Sequence, residues 1–308
     1  MKIRFIIGGS GSGKSSALHK EIVNRASKEP GRQFMVIVPD QFTMQTQKEI
    51  VESHPAHGIM NIDVQSFGRL CHRIADEVGE KERIVLDDTG KNLIIKHLAS
   101  EIADGLPAIG SSLSRKGYIH EVKSVISEFM QYGYGPLEVE RLAEHASEKK
   151  ALSAKLKDLK RVYEAFGEYL GERYITKEEK LDILASQIEK SQLLKGSVVA
   201  FDGFTGFTPI QENVIFKLME VCDELIFTVI MPPEELKEYK GDFDDHRLFA
   251  LSMKTMRAIE QLAADAGAER GEDILLGSPA PRFASSPALA FLDRHIFTQI
   301  FVEVKGGN

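Results

Sequence analysis

Residues 8–15 read GGSGSGKS, set between the apolar run KIRFII (2–7) and SSALHKEIVNRASKE (15–29), where Ala17, Leu18, Ile22, Val23 and Ala26 fall at helical spacing. The octet fits G-x-x-x-x-G-K-[ST], with Gly8, Gly13, Lys14 and Ser15 in the fixed places. A glycine loop between a strand and a helix lets backbone amides turn toward phosphate oxygens, and the helix N-terminus adds a positive dipole. The expected ATP site has Gly8, Gly9, Ser10, Gly11, Ser12 and Gly13 as its cradle, Lys14 on the β- and γ-phosphates, and Ser15 as a ligand for Mg²⁺. The bland alternative is a flexible Gly/Ser turn.

The pattern outside the loop is that of a sheet with covering helices. PGR (30–32) reads as a turn, FMVIVPD (34–40) as a second buried strand, TMQTQKEIVES (43–53) as a helix and GIMNIDVQ (58–65) as a third strand. SFGRLCHRIADEVG (66–79) follows as a helix, with Ser66 as N-cap and Gly79 as its stop. From about Leu86 to Leu194 strand signals vanish and amphipathic helices succeed one another. Gly135 and Pro136 separate two of them, and Thr176 with Glu179 has the spacing of a capping box. The sheet pattern resumes with SVVAFD (197–202), a helix from about Pro209 to Glu220, and DELIFTVIM (223–231). The expected fold is α/β: a P-loop, RecA-like parallel sheet with helices on both faces, interrupted by an α-helical insertion. Residues 1–85 and 195–308 form the discontinuous α/β domain, and 86–194 the insertion.

A phosphate loop needs an acid at the end of a neighbouring strand to hold Mg²⁺, and Asp202 ends the most apolar strand of the resumed sheet. The alternative is an aspartate capping the next turn. Gly203 then stands where a hydrolysing motor carries its general base, and a missing base costs roughly 10² to 10⁴ in rate. No catalytic residue is therefore assigned. Gln211, nine residues beyond Asp202, suits a γ-phosphate sensor, although alone it reads more often as a surface glutamine.

Together SGSGKS, VPDQFT (38–43), VQSFGRL (64–70) and DGFTGFTPIQ (202–211) resemble the N-terminal region of the AddB family, the B subunits of bacterial AddAB helicase–nucleases. The last stretch keeps the first Asp and last Gln of a superfamily 1 helicase motif. The resemblance implies a heterodimer with an AddA-type helicase/nuclease subunit, and DNA binding in the processing of broken duplex ends for recombinational repair. It also implies a helicase-like subunit that is not the working motor, in accord with Gly203. It places candidate single-strand contacts at Gln41, Phe42 and Thr43, and at Ser66, Phe67 and Arg69, through stacking and phosphate hydrogen bonds. Their other reading is loop residues with Phe42 and Phe67 in the core, and Phe204 and Phe207 share that ambiguity. The family's nuclease domain, its iron–sulfur cysteines and the second motor domain with its arginine finger are not expected in this chain, which reads as a fragment.

With 308 residues, 43% hydrophobic and 28% charged, the chain has material for a substantial core. Its net charge of −7 argues against coating nucleic acid through bulk positive charge, without excluding a local groove. No run is long enough to span a bilayer, so no membrane association is expected and the location is read as cytoplasmic. Cys71 and Cys222 are isolated, match no iron–sulfur cluster and are expected reduced and buried. His54 and His57 read as a surface pair, and the basic run Lys155, Lys157, Lys160 and Arg161 as a solvated helix face. The expected activity is binding of ATP with Mg²⁺ and negligible hydrolysis. Two rivals remain: a P-loop small-molecule kinase, with the helical insertion and its Arg115, Arg141 and Arg173 as lid, and a structural interaction module with a vestigial loop.

Overall fold

A computed structural model describes residues 1–55, 58, 60–79, 83–171, 173–239, 245–277 and 280–295. The chain opens with β1 (Lys2–Gly8), α1 (Lys14–Lys28), β2 (Phe34–Ile37), α2 (Thr43–Ser53), β3 (Ile62–Gln65), α3 (Phe67–Val78) and β4 (Ile84–Val85). Next come α4 (Asp88–Ile102), α5 (Lys116–Gln131), α6 (Pro136–His145), α7 (Lys150–Leu170), β5 (Tyr174–Ile175) and α8 (Lys177–Gln187). It continues through β6 (Val198–Phe201), α9 (Pro209–Val221), β7 (Glu224–Ile230), α10 (Leu236–Tyr239), α11 (Ala250–Asp265), β8 (Glu269–Arg270), β9 (Ile274–Leu276) and α12 (Pro287–His295).

These elements divide into two units. One holds Met1–Phe67, Gln192–Phe207 and the chain from Leu218 onward; the other holds Gly68–Ser191 and Thr208–Lys217. The first is built on a sheet ordered β3-β2-β6-β7-β1-β8, with β9 also on β1 and every pairing parallel. Each residue of β2 and β6 is buried, as a parallel strand covered on both faces requires. Leu18, Ile22, Val23 and Ala26 of α1 and Ile50 of α2 pack with Ile6, Val36, Ala200 and Ile226 of the strands. At roughly 1.5–3 kcal/mol for each large aliphatic side chain buried, this layer contributes much of the unit's stability.

β3 is shorter than the sequence suggests, starting at Ile62. Asn61 lies turned toward α1, its Nδ2 within 3.1 Å of the Ala26 and Glu29 carbonyls and 2.9 Å from that of Arg32. Beyond α11, β8 and β9 add to β1, with Lys2 opposite Glu269 and Gly8 opposite Leu276. Their two and three residues are too few to leave a periodic signature.

The second unit has its own core, in which Ile95, Leu98, Ile126, Val139, Val162 and Phe166 meet. Thr176 Oγ1 accepts from Glu179 N at 3.1 Å and Glu179 Oε2 accepts from Thr176 N at 2.7 Å, the reciprocal cap expected at α8. Buried Asp158 of α7 accepts from Ala108 N and Ile109 N at 2.7 and 3.1 Å. The span read as purely helical also contains β5, paired in parallel with β4. A two-residue bridge is invisible to periodicity.

Candidate functional site

The glycine-rich loop leaves β1 at its carboxyl end and enters α1 through Gly13, whose φ of 91° is left-handed, as is that of Gly11 at 76°. Gly8 is glycine for a different reason. A Cβ there would stand 2.3 Å from Ser12 Oγ and 3.0 Å from Leu276 Cβ of β9. Lys14 is buried and donates to the Gly8 and Gly9 carbonyls at 2.9 and 2.8 Å. Burial pushes its ammonium below the usual lysine range; Asp202 opposes that shift and Arg282 adds to it. The buried Ser12 hydroxyl has no hydrogen-bond partner among the described residues, an arrangement costing about 1–3 kcal/mol. Gly9 and Ser15 are half-buried and Ser10 is exposed.

Asp202 follows β6 and donates its N–H to Ile37 O at 3.0 Å. Sequence reasoning set it on a strand neighbouring β1, but β7 lies between the two. That intervening strand supplies Thr228, whose hydroxyl donates to Asp202 Oδ1 at 2.7 Å and accepts from Gly203 N at 3.4 Å. The second carboxylate oxygen faces buried His19, with Nε2 3.8 Å from Asp202 Oδ2 and Nδ1 3.5 Å from Glu49 Oε2. Burial lowers the His19 pKa against the pull of Asp202 and Glu49, which favours a neutral ring. Neither Thr228 nor His19 was found from sequence. The signal for Thr228 was a lone hydroxyl inside the apolar run DELIFTVIM.

The Ser15 hydroxyl and the Asp202 carboxylate are hard oxygen donors of the kind Mg²⁺ takes together with phosphate oxygens. Among the described residues no three His, Cys, Asp or Glu side chains gather as a metal site. This donor set fits a cation that completes its shell from a nucleotide and water rather than from protein alone, and the orphaned Ser12 hydroxyl belongs to the same loop.

Gly203 has a backbone reason to be glycine, its φ of 78°. A Cβ itself would fit, in ordinary van der Waals contact with Pro39 Cδ and Phe42 Cδ2 at 3.7 and 3.8 Å. Gly203→Glu is therefore expected to lose about 1–2 kcal/mol of stability to left-handed strain alone. Urea unfolding checks this; an unchanged midpoint would mean that the turn relaxes at no cost. Gln211 is the third residue of α9, and its Oε1 accepts from Thr208 N at 3.0 Å, capping the helix.

The aromatic residues are largely spoken for. Phe67 is buried, 6.0 Å from Phe201 and edge-on to Phe204 at 5.7 Å, while Phe201 stacks on Phe227 at 4.9 Å with Phe207 against both. Stacking a base on Phe67 would require displacing these rings. Ser66 and Thr43 are buried, Thr43 Oγ1 donating to Asp40 O at 3.0 Å; Gln41, Phe42 and Arg69 are exposed. Lys155 and Lys157 are exposed, but Lys160 lies 3.0 Å from Glu140 and 3.4 Å from Glu164. Cys71 and Cys222 are buried, and burial pushes both thiols up to about 12. His54 Nε2 lies 3.4 Å from Ser27 Oγ, and His57 is outside the described residues.

A family model described as "ADDB, N-terminal" matches residues 5–293. The chain is 38% identical over 301 residues to the B subunit of the ATP-dependent helicase/deoxyribonuclease of Lachnoclostridium phytofermentans, an alignment covering 96% of this chain and 26% of that protein. Its identity to the B subunits of the same enzyme from Alkaliphilus oremlandii and Symbiobacterium thermophilum is 35% and 33%, over 87% and 96% of this chain and 23% and 26% of theirs. The chain thus spans about a quarter of the length of the curated relatives it matches.

Proposed function

The chain belongs to the AddB N-terminal family, and from that membership we propose that its first unit is a RecA-like, P-loop nucleotide-binding domain within a helicase/nuclease subunit of the AddAB type. The observation that carries this reading is the pairing of the glycine loop with a carboxylate fixed from the side: Lys14 within the loop, and Asp202 held by Thr228. ATP binds at Gly8–Ser15 with its phosphates on the loop amides and Lys14, and Ser15 and Asp202 hold Mg²⁺. Lys14 exchanges the carbonyls of Gly8 and Gly9 for phosphate oxygens.

Turnover is a separate matter. Gly203 brings no side chain to the general-base position, and a glutamate there would have to adopt a left-handed backbone. The chain therefore holds nucleotide without driving translocation, as part of an assembly with an AddA-type subunit that processes DNA ends for recombinational repair. Gln41, Phe42 and Arg69 are the exposed members of the expected strand contacts, and they are the ones we retain for DNA. None of the relatives named above is a kinase, and the lid reading of the helical unit finds no support. Among the described residues no helix is long and apolar enough to cross a membrane.

Calorimetric titration with Mg·ATP tests the nucleotide reading: saturable heat is expected, with phosphate release at the background rate. Absence of binding would sink the reading, and rapid release would overturn the role given to Gly203. Thr228→Val keeps the shape of the strand but removes the hydroxyl that orients Asp202. Its expected effect is a loss of roughly tenfold or more in Mg²⁺ affinity at fixed nucleotide, the usual cost of removing a group that orients a metal ligand. Titrating Mg²⁺ against both proteins measures it; equal affinities would show that Thr228 matters only to folding.

A further inference from the structure

β8 and β9 pair in parallel with β1, Gly8 lying opposite Leu276, so the chain leaves β9 beside the glycine loop. The short 3-10 turn Pro281–Phe283 follows, and Arg282 N lies 3.4 Å from Gly11 O. The Arg282 side chain runs across Gly11. A Cβ on Gly11 would stand 2.8 Å from Arg282 Cβ, 3.0 Å from its Cδ and 3.2 Å from its Nε. Gly11 is thus kept bare by this close approach as well as by its positive φ.

We infer that Arg282 is a second cationic ligand for the polyphosphate of a nucleotide at the glycine loop, supplied by this chain's own segment after β9. The inference rests on the nucleotide-binding reading above and adds one residue to that site. Arg4, Arg25, Arg32 and Arg270 of the same unit are each paired with carboxylates. Arg282 is exposed and pairs with no carboxylate among the described residues. Its charge nevertheless reaches Lys14, where it opposes Asp202. Two cations therefore act against one carboxylate, at a loop whose buried Ser12 hydroxyl also has no hydrogen-bond partner among the described residues. A polyphosphate matches that deficit in charge and in number of acceptor oxygens, and a guanidinium fork is suited to bidentate phosphate recognition. A single protein carboxylate would satisfy only part of it.

The test uses Arg282→Gln, which keeps an aliphatic stem over Gly11 and removes the charge, and Arg282→Lys, which keeps the charge without the fork. The unsubstituted chain and both variants are titrated calorimetrically with Mg·ATP and with inorganic tripolyphosphate, and melted without ligand. The glutamine variant is expected to bind both probes about tenfold more weakly, the lysine variant to recover part of the loss, and the unliganded melting temperatures to agree. If the unsubstituted chain binds Mg·ATP and the glutamine variant binds it equally well, the role of Arg282 falls while the nucleotide reading stands. If the unsubstituted chain binds neither probe, both fall. If both variants bind equally weakly and melt lower without ligand, Arg282 acts by holding the loop's shape and the inference is overturned.

Discussion

Lys14→Ala is expected to weaken Mg·ATP binding roughly a hundredfold or more while leaving the fold in place. The ammonium is the one side-chain cation within the loop itself, and two charge-assisted hydrogen bonds to phosphate oxygens at about 1.5–3 kcal/mol each account for a loss of that size. Its structural role is smaller. The bonds to the Gly8 and Gly9 carbonyls are local, and they are formed by a cation that burial already disfavours. Removing it relieves that desolvation and leaves two carbonyls without a donor. The two effects oppose each other, so a stability change within about 1 kcal/mol is expected. Titration calorimetry combined with thermal melting separates the cases. Undiminished binding would show that the loop is not the phosphate site, and a collapse in melting temperature would assign Lys14 to the fold.

Lys91→Ala is expected to destabilise the helical unit by about 3–5 kcal/mol, because it strands a buried carboxylate. Lys91 of α4 is 2% exposed and donates to Glu178 Oε2 of α8 at 2.7 Å and to Ser127 Oγ of α5 at 3.1 Å. One ammonium thus ties three helices together within the buried part of the unit. The double replacement Lys91→Met with Glu178→Met removes both charges and fills the space. It should restore most of the loss, since a buried pair repays its desolvation only in part. Hydrogen exchange along α4, α5 and α8 reads both variants. A single variant as stable as the parent would mean that water reaches Glu178; a double variant no better than the single would mean that the pair itself stabilises the unit.

The amino-acid order alone determined whatever depends on residues close together in the chain. KIRFII and SVVAFD are apolar runs bounded by glycine or aspartate, so they form buried strands whose carboxyl ends carry the loop and Asp202. Thr176 and Glu179 are three apart and cap α8 reciprocally, and Gly13 leads the loop into α1 through a left-handed φ of its own. These are local properties of backbone and side chain, and no distant partner is needed to read them.

What only the tertiary structure decided depends on which strands become neighbours. The sheet order puts β7 between β1 and β6, and that alone brings Thr228 to Asp202. β9 beside β1 brings Leu276 against Gly8 and starts the path that lays Arg282 across Gly11. Strands this short carry no period in sequence, and a threonine or arginine has no partner until the sheet forms. Gly203 draws on both levels. Its missing side chain was legible as a lost base, whereas the left-handed turn that requires glycine there emerged only from the backbone path between β6 and the phenylalanine cluster.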